Sequence, residues 1–376
     1  MSGRFEKVRA AKPKREKKPR KPFRLPKPGW KTLALLGLNV LLVLLALLCA
    51  AKLHEYRGML LTQEAAQRWR GGSEERFAQV SVFLPVDEEI DYSAVRTFHE
   101  TLDQAMVDAS LEAPEGGSLW QDAYCGTAAS VSLSGPAGKA TTKAMGVGGD
   151  FFLFHPYTLL SGSYISERDF AQDRVVLDEN LAWQLFGSSD VAGMEVTIGE
   201  RNYPVAGVVR FEDDKATKKA LTDTSMLFLS YDALCAMQED TKISTYEIVL
   251  PDPISGYALN LMQKKFPVGN GVAVENSNRY SALSLAKVAL AYGERSMNTH
   301  AVIYPYWENA ARLTEDFAAL YLLLMVLLSI CPVVCAVVWL VRTLKRLITE
   351  AKDKAVSAIE EKIEENKEAH YVRRGI

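Results

Sequence analysis

Cysteine is scarce in this chain, with five in 376 residues. Cys49, Cys331 and Cys335 fall inside apolar runs, which leaves Cys125 and Cys235. Two thiols are too few for a disulfide framework, and these two pair only if the fold brings them together. Histidine is as sparse. His54, His99, His155, His300 and His370 are scattered, with no H-E-x-x-H and no Cys/His cluster, so no metal site is expected. There is no G-x-S-x-G, which removes the nucleophile elbow. Gly146-x-Gly148-Gly149 lacks the strand–turn–helix context and the later acidic residue of a dinucleotide site, and no G-K-[ST] phosphate loop is present. Asp87, Glu88, Glu89 and Asp91 do not follow the spacing of a calcium loop and read as a solvated turn. Cys331 and Cys335, four apart in an apolar stretch, read as packing residues. These absences predict a protein that is not an enzyme, with no catalytic, cofactor-binding or metal-binding residues.

Charge is missing from two stretches. Thr32 to Ala51 and Ala318 to Val341 carry none. At 1.5 Å per residue each is long enough for a bilayer core of about 30 Å. The first run is too long for a signal-peptide core, and Ala50-Ala51-Lys52-Leu53 is a poor cleavage context, so an uncleaved anchor is expected. Elsewhere charge is segregated. Residues 1–31 hold 13 Lys and Arg against Glu6 and Glu16, and residues 342–376 hold nine against seven acids. A total of −2 therefore leaves −15 for residues 32–341. A basic end before the first run and Arg342, Lys345 and Arg346 after the second place both termini in the cytoplasm and residues 52–317 outside it. The expectation is a two-pass protein of the cell membrane. Residues 1–31 are rich in Lys, Arg and Pro, bury nothing, and read as a disordered tail facing anionic lipid rather than nucleic acid.

Between the runs, strand and helix signals alternate. Leu53 to Trp69 reads as a helical stalk continuing the first crossing. Gln79 to Leu84 reads as a strand. Ser93 to Ala109 reads as a helix with Val95, Phe98, Leu102, Ala105 and Met106 on one face, and His99 beside it as an exposed or hydrogen-bonded residue. Ala123 to Leu133 and Ala140 to Val147 read as strands joined through Ser134 to Gly138. Asp213 to Lys219 reads as a charged loop, Ser225 to Leu229 as a strand and Tyr231 to Met237 as a short helix. Ile243 to Leu250 reads as a strand, Gly256 to Phe266 as a helix and Ser281 to Ala291 as an extra helix. Val302 to Trp307 is an aromatic stretch suited either to the headgroup level or to a core. After Val341, Leu344, Ile348, Ala351, Ala355, Ala358 and Ile363 recur at spacings of mostly four and three, the pattern of an amphipathic helix over 342–376.

The stretch from Gly146 to Val209 is the most structured in pattern. Val175-Val176-Leu177 forms a β-branched run, and Asp178 can cap a helix carrying Leu181, Ala182, Leu185 and Phe186, stopped at Gly187. Met194 to Ile198 and Tyr203 to Val209 read as a hairpin around Gly199. In order, the stretch reads G-x-x-x-x-F-F, L-x-x-G-x-x-x-x-x-x-D, V-V-L-x-E-x-L-A-x-x-L-F-G, D-x-x-G, V-x-I-G and Y-x-V-x-G-V-V. Phe151, Phe152, Leu160, Gly162, Asp169, Glu179, Asp190, Gly193, Gly199, Val205 and Gly207 are among its fixed points.

This pattern resembles the extracytoplasmic core domain of MacB-type, FtsX-like ABC transporter permeases. The resemblance implies an α+β fold: a large, two-lobed, mixed α/β extracytoplasmic domain at 52–317, inserted between transmembrane helices at 32–51 and 318–341. It implies a strand-rich lobe at about 173–237. As partners it implies a separate ABC ATPase and a full permease subunit, in a homo- or hetero-oligomer. Members of the family continue to two further membrane helices and carry an ATPase-docking segment near R-x-x-E-I-G-x-L-R-A-L-G. Here the corresponding stretch, from Arg342, lacks the I-G and A-L-G elements. The implied function is an accessory or partial permease-like subunit of an ABC transport system. A stand-alone membrane-anchored sensor or interaction protein is the alternative, with a membrane-anchored enzyme third.

Overall fold

The computed structural model describes residues 29–72, 74–113, 117–221, 225–295 and 302–373. Most of the basic tail expected at 1–31, and His300, lie outside them. Helix α1 (Trp30–Arg57) contains the whole first charge-free run. The expected stalk helix to Trp69 does not form. The chain breaks at Gly58, makes a 3-10 turn at Leu61–Gln63 and resumes as α2 (Ala65–Arg70). The break lets Leu60, Ala65 and Ala66 bury in the outer domain, each 4% exposed or less. Arg68 clamps it by donating to the Leu61 and Leu153 carbonyls, both at 2.6 Å.

Next come β1 (Phe77–Phe83), α3 (Tyr92–Asp108), β2 (Gln121–Ser134) and β3 (Lys139–Gly149). A one-turn α4 (Phe151–Phe154) and β4 (Thr158–Gly162) lead to β5 (Val175–Asp178), α5 (Glu179–Phe186), β6 (Glu195–Ile198) and β7 (Arg201–Arg210). Helix α6 (Lys215–Ala220), β8 (Met226–Ser230), α7 (Tyr231–Met237), β9 (Thr245–Pro251), α8 (Tyr257–Lys265) and β10 (Val272–Glu275) follow. The chain ends with α9 (Ala282–Leu290), α10 (Tyr292–Arg295) and the 68-residue α11 (Tyr306–Arg373). The stretch read as a charged loop at 213–219 is partly α6. Asp214 caps it by accepting from the Ala216 and Thr217 amides at 2.8 Å, a local satisfaction of free helix donors.

The ten strands among the described residues join one sheet, ordered β10-β1-β9-β2-β3-β8-β5-β7-β4. Strand β6 bridges β7 and the far end of β2, at Leu133 and Ser134. Strands β2, β3, β8, β5, β7 and β6 thus close a ring, which takes in β2 and β3 from outside the stretch 173–237 expected as the strand-rich lobe. Two devices let β2 serve both lobes. A bulge between Ala128 and Val131 bends the long β2–β3 hairpin. Gly148 lies opposite Tyr124, and the tyrosine ring occupies the place its side chain would take.

Among the described residues, three large apolar clusters and a smaller one of Leu60, Ala216, Ala310 and Ala311 fill the domain. Helices α3 and α8 cover β1 and β9 with Val95, Phe98, Leu102, Met106 and Met262. The ring is filled by Leu177, Leu181, Leu185, Val205, Leu227 and Leu229. Helix α5 is capped at both ends, by Asp178 and by Gly187 in the left-handed conformation at φ 74°. The third cluster packs α2 and α4 against the sheet together with Trp307 from α11. Trp307 is 2% and Tyr306 8% exposed, so these two rings of the aromatic stretch at 302–307 are core and not headgroup anchors, whereas Ile303 is 75% exposed. Cys125 is buried in the third cluster and Cys235 packs beside the first, and both are free thiols.

Candidate functional site

The feature most suited to a function is where the sheet domain joins the two apolar helices. Helix α11 begins inside the domain core and leaves it without a break. Its first turns carry Trp307, Glu308, Ala310, Ala311 and Glu315, all buried or nearly so. Arg279, just after β10, reaches into this base. Its guanidinium donates to both Glu308 oxygens, at 2.5 and 2.8 Å, to Glu315 at 2.8 Å and to Gln63 at 2.8 Å. Burial alone lowers the Arg279 pKa, but the charges of Glu308 and Glu315 outweigh it and hold the group above its ordinary value. Burial pushes the Glu308 carboxyl up, against the pull of Arg279. A second arginine extends the cluster, since Arg295 meets Glu315 at 2.5 Å and Asp316 at 3.0 Å. A buried ionic group of this kind contributes little net stability but fixes relative orientation. It ties together the α1–α2 turn, the end of β10, α10 and the base of α11.

Inside the charge-free runs, α1 packs along α11. Asn39 is the polar residue between them. Its amide nitrogen donates to the Leu35 carbonyl at 2.8 Å and lies 3.6 Å from the Cys335 sulfur, and its oxygen accepts from Cys331 at 3.9 Å. Cys331 and Cys335 therefore face α1 as packing residues. Ala336 remains exposed on the other side, beside Val333, Val337 and Leu340. Pro332 sits within α11 and removes one backbone donor, a point where a helix bends.

Two polar clusters deserve comparison with catalytic ones. Ser81, Glu247 and His155 form a buried chain, with Ser81 donating to Glu247 at 2.6 Å and His155 Nε2 2.5 Å from the other carboxylate oxygen. The carboxylate stands between serine and imidazole, the reverse of a nucleophilic triad, and all three are 2% exposed or less. It is a structural tie between β1, β9 and the turn after α4. The second cluster lines a cleft of about 430 Å³ with Trp120, Asp122, Asp150, Glu167 and Arg168. Here His99 Nε2 meets Asp122 at 2.6 Å and its ring lies 4.8 Å from Trp120. Glu167 accepts from the Gly149 amide at 2.6 Å and from Tyr92 at 3.0 Å. Burial holds Asp150 above its ordinary range although Arg168 lies 3.8 Å away. In the acidic turn, Glu88 accepts from the Asn270 amide at 2.7 Å and Asp91 lies 3.4 Å from Lys242. Among the described residues no group of three or more metal-ligating side chains comes together.

The geometry is that of a two-lobed sheet domain flanked by two helices long and apolar enough to cross a membrane. Residues 105–259, from within α3 to within α8, match the family model of the MacB-like periplasmic core domain. The resemblance read from the sequence is borne out over that stretch, which is of the kind carried by ABC transporter permeases. Among solved structures, the periplasmic region of MacB from Actinobacillus actinomycetemcomitans is 14% identical, with a TM-score of 0.39, over 58% of this chain and 94% of that one. The extracellular domain of the ABC-type transporter YknZ from Gram-positive bacteria is 12% identical, with a TM-score of 0.33, over 50% and 88%. No curated protein matches the chain. The matched domain type and the two apolar helices make this a membrane protein with an extracytoplasmic segment.

Proposed function

We propose that the chain is an accessory, permease-like subunit of an ABC transport system, without chemistry of its own, that relays events at its outer domain to the membrane. The observation that carries this reading is α11. One helix of 68 residues, about 100 Å at 1.5 Å per residue, is seated in the domain core at Trp307 and runs through the second apolar stretch to its charged end. The Arg279 cluster welds its base to the sheet, so a rearrangement of the domain must move the helix. Both termini lie in the cytoplasm in this reading, and an ATPase and a further permease subunit complete the pathway, which two helices cannot enclose.

The partner face is the one α1 leaves open. Ala336→Leu adds bulk to it without touching Asn39. Purified in mild detergent from its own cells, the wild-type chain should bring down a membrane subunit and an ATPase. Ala336→Leu, or removal of residues 343–376, should reduce that recovery while the domain's melt is unchanged. Equal recovery from both variants, or no membrane partner at all, would refute the transport reading. A second reading, a stand-alone sensor, is favoured by the cleft around Trp120, which is large enough for a small ligand and open at the surface.

A further inference from the structure

Helix α9 has apolar side chains on nearly every face. From Ala282 to Leu290 its one charge is Lys287. One stripe, Leu285 and Val288, packs on Leu53 of α1 and on Ala318, Ala319 and Leu322 of α11. The opposite stripe faces outward, with Leu283 70% and Leu290 89% exposed and the exposed Lys287 between them, and Tyr292 just beyond is 65% exposed. A helix apolar all round is stable when both sides are out of water. Helices α1 and α11 cover one side only.

What covers the other follows from where α9 sits. Leu53 lies two residues past the end of the first charge-free run, and Ala318 opens the second. Between them Tyr56 stacks on Phe317 and Tyr321, with ring centroids at 5.8 and 5.7 Å, an aromatic pair of layers at the level where apolar chain gives way to charge. Charged groups flank it: Lys52 with Glu55 at 2.6 Å, in the turn of α1 between the apolar run and Tyr56, and Arg295 with Asp316 beyond it. A groove of about 380 Å³ runs between α9 and α11, walled by Ala289, Tyr292, Phe317, Leu320 and Leu323, with Asp316, paired to Arg295, at its polar end. It is continuous with the exposed leucines of α11 at 320, 323 and 324. We infer that α9 lies in the membrane surface on the sheet-domain side. Leu283 and Leu290 are immersed among the acyl chains, the groove holds one chain of a phospholipid, and Lys287, on the same stripe, extends its four-carbon stem back to the phosphate level. The domain is thereby seated against the bilayer at a third point besides the two crossings.

The inference rests on the two charge-free runs crossing the membrane, and the experiment separates the two claims. In full-length protein, Leu283, Leu290, Leu327 and Lys139 are each replaced in turn by the photoreactive p-benzoylphenylalanine (Leu290→p-benzoylphenylalanine and so on). The proteins are irradiated in the membranes of the producing cells, and adducts are read by mass. All four positions are surface positions, so the fold is retained, as the melt will verify. The expected result is a phospholipid adduct at Leu283 and Leu290 as at Leu327, and none at Lys139. A lipid adduct at Leu327 alone overturns the inference and leaves the crossings standing. A protein adduct at Leu283 and Leu290 in place of lipid overturns it in favour of a docking subunit. Absence of lipid at Leu327 overturns both.

Discussion

Leu185 and Phe186 are neighbours on α5, and only one of them is core. Leu185 is fully buried in the strand ring, whereas Phe186 is partly exposed at its edge. Leu185→Ala should cost about 2–5 kcal/mol and Phe186→Ala distinctly less, as measured by denaturant unfolding. If Phe186→Ala costs as much, the ring's filling is misassigned. His99 is the residue that gives a pH signature. Burial alone lowers its pKa, but the hydrogen bond and charge of Asp122 raise it above 6.5 overall. Protonation is then favoured in the folded state. Its contribution is full below the unfolded pKa and fades as pH rises through the folded one. The stability difference between wild type and His99→Gln should be larger at about pH 5.5 than at about pH 8.5. A difference independent of pH would show that the pair is not charged in the native protein.

At the scale of elements, the join between β10 and α11 matters most. Neither partner is identifiable from periodicity. Strand β10 is four residues long, and the helix signal of α11 is dominated by its apolar run. Arg279, Glu308 and Glu315 are separated by up to 36 residues in the chain, and their meeting is a product of packing. Arg279→Ala strips the buried Glu308 carboxylate of its counter-charge, leaves Glu315 with Arg295 alone, and should destabilise the domain by about 3–5 kcal/mol. Glu308→Gln and Glu315→Gln made together with Arg279→Met should recover part of that loss. A loss confined to Arg279→Ala of less than about 1 kcal/mol would mean that water reaches the cluster.

In the proposed reading, the whole molecule places a sheet domain on one side of a membrane and a charged helix on the other. Thiol labelling of intact cells with an impermeant reagent tests that arrangement. Lys139→Cys, on the exposed β2–β3 hairpin, should react, and Lys354→Cys, beyond the second apolar run, should not. The reverse pattern would turn the chain over. The structure also shows that the domain borrows from its flanks. Leu60, Ala65 and Ala66 before β1, and Trp307, Ala310 and Ala311 after β10, all lie in its core, so its folding unit reaches from near Gly58 to the first turns of α11.

The sequence alone determined the two apolar helices, the acidic middle, and most of the strands and helices from Ser93 to Phe266. These depend on local properties: absence of charge, period-two and period-3.6 apolar spacing, Asp178 and Gly187 as caps. The family resemblance was legible for the same reason, because it rests on turn glycines and strand–helix order between Gly146 and Val209. Only the tertiary structure decided the rest. The stalk breaks at Gly58 because Leu60, Ala65 and Ala66 find more apolar contact in the domain than along a continuous helix. The weak strands β4 and β10 exist because β7 and β1 offer free edges for them. Trp307 goes to the core because His155 and Phe151 form a pocket for it, with ring centroids at 4.3 and 6.1 Å. Arg279 meets Glu308 and Glu315, and α9 meets the two apolar helices, through long-range packing that no local pattern encodes.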